Sequence, residues 1–139
     1  MQVNNVNSGM TFQAKWNCET RRAINNGILT EVRKISDINE SMKEFDRLSE
    51  KYDRLFDLLA EKFPEGKFCL HNQLGTSPKV EQLSFWTKDS YKAFQLPEEI
   101  QKEIKVVDRS NFLWDKFVIK EFPAKRLDWL YDFISNLKV

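Results

Sequence analysis

Cys69-Leu70-His71 is the one place in this 139-residue chain where a thiol and the sole imidazole stand close together. On a strand, residues i and i+2 share a face, which sets the two Cβ atoms about 7 Å apart on the same side. That is beyond direct hydrogen-bond reach. A nucleophilic thiol also needs an orienting third group and oxyanion donors, and no motif supplies them. A small hydrolase or transferase site near Cys69 and His71 is therefore an alternative only, and a buried cysteine beside a half-exposed histidine is the expected arrangement. Metal chemistry has as little to build on. Cys18, Cys69 and His71 offer three soft ligands, but none of the C-x2-C or H-x3-H clips that gather ligands cheaply. No catalytic residue, metal or cofactor is assigned.

Phosphate and nucleic-acid chemistry fare little better. Leu74-Gly75-Thr76-Ser77 lacks the lysine that would follow in a P-loop. Net charge is +1, so no bulk field attracts a polyanion. Charge is nonetheless uneven: residues 1–35 carry +3 and residues 36–66 carry −4. Arg21, Arg22, Arg33 and Lys34 form the densest basic group, beside Trp16. A nucleic-acid interface built on Arg22 and Arg33 is the first alternative, since such readers join basic side chains to stacking aromatics. The predicted hairpin described below puts Arg22 and Arg33 on one face and Arg21 and Lys34 on the other, and that split argues against nucleic acid.

Aromatic residues are abundant: 11 Phe, 4 Trp and 3 Tyr make 13% of the chain. Core packing accounts for most of them. The C-terminal helix is harder to satisfy. Leu127, Leu130, Ile134 and Leu137 fill one stripe, while Trp129, Tyr131 and Phe133 widen the apolar arc to roughly 200°, more than one buried face requires. Trp129 and Phe133 are therefore the predicted partner-binding residues, because aromatics at the edge of a stripe are frequent contact anchors.

These residues need elements to hold them. The hydrophobic share of 41% with 31% charged residues excludes wholesale disorder, and no apolar run reaches membrane-spanning length. Residues 1–11 predict a flexible polar tail and 12–139 a single domain. Two cysteines without a repeated spacing point to reduced thiols and a cytoplasmic protein. Asn26-Gly27 signals a type I′ hairpin between strands near Phe12–Asn25 and Ile28–Ile35, in a register that pairs Arg22 with Glu31 and Glu19 with Lys34. A helix from Asn17 to Asn26 with Gly27 at its C′ position is the competing reading.

Asp37–Phe63 is the clearest helix, with a D-x-x-E cap and a terminus at Phe63-Pro64-Glu65-Gly66. Its apolar residues, from Ile38, Met42 and Phe45 through Leu48, Leu55 and Leu59 to Phe63, span an arc about 140° wide that is expected to face the sheet. The acidic residues fall mostly on its outer side, interleaved with Lys and Arg as a solvated face. Lys67–Gln73, Lys79–Thr87 and Phe112–Phe122 read as further strands, Pro97 opens a short helix through Val107, and Pro123 starts the last. The predicted order is ββαββαβα, an α+β domain in which one mostly antiparallel sheet packs on a long helix and two shorter ones. The function expected is a small non-catalytic module that binds a protein partner or self-associates.

Overall fold

Asn17 takes extended backbone and its side chain accepts the Thr20 amide at 2.9 Å. From that cap the first helix, α1 (Cys18–Arg33), runs without a break through Asn26-Gly27. The hairpin predicted there does not form, and neither does its pairing of Arg22 with Glu31. Tertiary packing decides the matter. Helix α1 buries Thr20, Ala23, Ile24, Gly27 and Ile28, a helical spacing rather than an alternating one. The chain leaving the last strand crosses it there: the Phe122 N–H donates to the Ala23 carbonyl at 3.0 Å, and the Asn26 side-chain amide donates to the Lys120 carbonyl at 3.0 Å. A Cβ on Gly27 would overlap the Phe122 carbonyl oxygen. Glycine stands at this position for close approach rather than for a turn.

Asp37 caps α2 (Ile38–Lys62) by accepting the Glu40 amide at 3.3 Å, as the sequence predicts. The helix ends at Phe63, and Gly66 supplies the positive φ of 99° that turns the chain into the sheet. Leu48, Leu55 and Leu59 of α2 are buried. Ile38, Met42 and Phe45 are exposed, so the apolar arc faces the core only from Leu48 onward. With 25 residues α2 is about 37 Å long, which outruns the seven-residue strand of about 23 Å that is the longest beneath it.

The computed structural model describes residues 15–72, 77–109 and 116–138. Strands β1 (Lys15–Trp16), β2 (Lys67–Asn72), β3 (Val80–Trp86) and β4 (Tyr91–Gln95) form one sheet in that order, with β1 parallel to β2 and the others antiparallel. Helix α3 (Glu98–Gln101) follows, then β5 (Lys105–Asp108) and β6 (Phe117–Glu121), a separate antiparallel pair. A 3-10 turn (Ala124–Arg126) leads into α4 (Leu127–Ser135). The α+β class stands, and the observed order is βααβββαββα in two sheets instead of ββαββαβα in one. The helix predicted from Pro97 through Val107 stops at Gln101, and its end is β5. The predicted tail at 1–11 and the start of the predicted strand at Phe112 lie outside the described residues.

Phe68 lies at the centre of the core, with ring centroids of Phe85 at 4.7 Å, Phe63 at 5.5 Å and Trp16 at 6.0 Å. Polar side chains of α1 complete the strand edges around it. The Thr20 hydroxyl accepts the Leu70 amide at 3.0 Å, where β1 has already ended, and the Glu19 carboxylate accepts the Ile119 amide of β6 at 3.0 Å. The Asn72 amide donates to the Phe117 carbonyl at 2.9 Å and so joins the two sheets. Helix α4 packs on α2, and Lys62 donates to the Ile134 and Ser135 carbonyls that α4 leaves open at its end. Among the described residues no helix is long and apolar enough to cross a membrane.

Candidate functional site

The alternation of β2 puts Phe68 and Leu70 in the core and Lys67, Cys69 and His71 on the opposite face. Cys69 and His71 therefore share a side, as predicted, in a shallow depression of about 570 Å³ that Glu19 and Trp86 also line. Chemistry does not follow from that proximity. Burial pushes the Cys69 thiol up from its ordinary value; Lys67 pulls it down and Glu19 adds to the rise. A reactive cysteine needs the reverse shift. The carboxylate that lines this depression, Glu19, is held by the Ile119 amide. His71 instead joins an aromatic series, stacked on Trp86 with centroids 6.2 Å apart, and Trp86 lies 4.2 Å from Tyr91. Among the described residues no group of three or more His, Cys, Asp or Glu side chains is placed to hold a metal ion.

Trp129 and Phe133, the predicted partner-binding residues, stack on each other with centroids 4.9 Å apart and rings 19° from parallel. Both are half-buried against the core, while Leu127, Leu130 and Ile134 are fully inside, as the stripe predicts. Tyr131 turns toward α2, where Arg54 lies over its ring at 5.4 Å.

Arg22 and Arg33 are both exposed on α1. The predicted hairpin would also have put these two on one side, apart from Arg21 and Lys34, and the helix keeps them together. Eleven residues of α-helix bring a side chain round to within about 20° of its starting direction, so the two residues share one outer face about 16 Å apart along the helix axis. Arg21 lies about 100° round the helix from Arg22, and both reach a groove of about 880 Å³ between α1 and α2. Arg21 and Arg22 form one wall of that groove, Asp53 and Asp57 the other, with Tyr52 and Phe56 between them. Burial raises the Tyr52 hydroxyl, and Arg21 works against the rise.

Among the described residues, the large exposed apolar side chains outside the Trp86–Tyr91 pair lie on the first two turns of α2. Ile38 is 71% exposed, Met42 61% and Phe45 43%. Their spacing of four and then three residues makes a single row. Sequence reasoning put them in the core-facing arc. The signal that could have separated them was length, since a helix of about 37 Å outruns any sheet made of the strands available here.

No family model, no curated protein and no solved structure matches this chain.

Proposed function

We propose that the protein is a non-catalytic interaction module whose docking surface is the row Ile38, Met42 and Phe45 where α2 runs past the core. The observation that carries this reading is the exposure of those three side chains at helical spacing on one rigid element. Single exposed apolar residues are ordinary, but a contiguous row on an overhanging helix is the form in which helices bind grooves or one another. Two free thiols, Cys18 and Cys69, support a reducing, cytoplasmic setting. The Trp129–Phe133 stack is a secondary contact on the far side of α2, with less free surface to offer.

The test is photo-crosslinking in the native cell. Phe45 replaced by p-benzoylphenylalanine should give a discrete adduct, and the same probe at Lys88, in the turn between β3 and β4, should not. Equal, background-level labelling at both positions would sink the reading. A second reading, nucleic-acid binding through the outer face of α1, is favoured by one observation: Arg22 and Arg33 lie on one exposed side of a helix. Binding of mixed-sequence RNA at physiological salt that Arg22→Ala and Arg33→Ala each weaken would establish it.

A further inference from the structure

The exposed row leaves its partner open, whereas the charges on either side of it do not. Resting on the interaction reading above, we infer that the partner is a second copy of this chain, docked with its α2 parallel to the first across Ile38, Met42, Phe45 and Ser49. At 100° per residue these four positions fall within about 60° of one another, and their 4-3-4 spacing is that of a coiled-coil seam. Phe56 continues the same line into the groove between α1 and α2.

Around α2 from the row, in the direction away from α1, come Asp46, Asp53 and Asp57. On the other side lies α1, whose Arg21 and Arg22 face Asp53 and Asp57 across the groove. Arg22, Asp46, Asp53 and Asp57 enter no ion pair among the described residues. Across its width the surface is therefore basic, then apolar, then acidic.

Two copies of such a surface can meet about a twofold axis in two ways. An axis running along α2 keeps the helices parallel and exchanges left for right, so each acidic side meets a basic side. It also preserves level along the helix: Arg21 and Arg22 stand opposite Asp53 and Asp57 within one chain, and so meet the same two residues of the other copy. An axis running across α2 makes the helices antiparallel and sets acid against acid and base against base. Like charges brought together at a rim are costly and suppress that mode, while complementary rims favour the other. The parallel arrangement is isologous, so every favourable pair occurs twice.

Sedimentation of the full chain should show a monomer–dimer equilibrium in the micromolar range, with Phe45→Arg shifted to monomer and its circular dichroism unchanged. Arg22→Asp and Asp53→Arg should each weaken the dimer roughly tenfold, and the two together should restore it. With Cys18→Ser and Cys69→Ser in place, Ser49→Cys should form a disulfide-linked dimer under mild oxidation, because a parallel axis brings like positions together. Arg47→Cys, on the opposite side of α2, should not. A dimer that survives Phe45→Arg, or that fails to link through Ser49→Cys, overturns the proposed arrangement. A chain that stays monomeric while its Phe45 photo-adduct contains a different protein overturns the second copy and leaves the interaction reading standing; no adduct at all overturns both.

Discussion

Gly27 is subject to two opposed tendencies that a single substitution separates. In an unencumbered helix, alanine in place of glycine gains about 1 kcal/mol, because glycine surrenders more backbone freedom on folding. Here the added Cβ would meet the carbonyl of Phe122, a backbone atom that cannot rotate away and that sits beside the Phe122–Ala23 hydrogen bond. Overpacking of this kind costs about 1–3 kcal/mol. Gly27→Ala should therefore lower stability by an amount in that range, read as a drop in the urea midpoint at constant slope. A stabilised variant would show that the segment after β6 does not press on α1. The same residue explains why the N-terminal region was misread: Asn26-Gly27 is a strong local hairpin signal. A residue some 95 positions downstream, which no window of sequence contains, sets the actual requirement. Arg22 and Arg33 share a face under either period, in the hairpin through its register and on the helix because eleven residues make about three turns.

At the scale of elements, legibility followed periodicity and length. Helix α2 announces itself through Asp37, Glu40 and a long 3.6-residue repeat, and β2 and β3 through clean alternation. Strand β4, Tyr91–Gln95, alternates nothing the eye can use, because an edge strand exposed along most of its length places no apolar constraint on its residues. Strand β5 spans only Lys105–Asp108, and its Val106 and Val107 fit the tail of a helix as well as a short strand. Periodicity marks which side of α2 is apolar, yet it is silent on where the core beneath that side ends. Leu55→Ala and Met42→Ala measure that boundary. Leu55 is fully enclosed, so its truncation should cost about 2–5 kcal/mol, the range for a large-to-small core change. Met42, largely in solvent, should cost under about 0.5 kcal/mol in the monomer. Equal losses in denaturant melts would mean that the first turns of α2 are covered within one chain, which would remove the surface on which the proposed function stands.

At the scale of the whole molecule, the two sheets and four helices of the described residues are tied together by polar links between distant segments, and one of these predicts a pH dependence. Arg126, in the turn that opens α4, donates to both oxygens of Glu103, between α3 and β5, at 2.7 and 2.8 Å. That two-pronged hydrogen bond holds the Glu103 carboxyl below its usual range, and the nearby charges of Arg126 and Lys125 push the same way. A carboxyl whose folded value lies below its unfolded one of about 4.3 stabilises the fold when pH is above that value, and the contribution is lost as pH falls through the folded value. Wild type and Glu103→Gln should therefore differ by a constant amount in urea melts from about pH 8 to pH 5, and converge as pH falls further through the lowered folded value. Glu44 and Arg47 make the same two-pronged contact at 2.7 Å, but three residues apart on α2. Because that pair is exposed and joins nothing beyond its own helix, Glu44→Gln should open a far smaller gap. A Glu103→Gln gap no larger than that of Glu44→Gln would show that the α3–β5 segment is held to α4 by burial of Ile100 and Ile104 alone, with the ion pair adding nothing to the assembly of the fold.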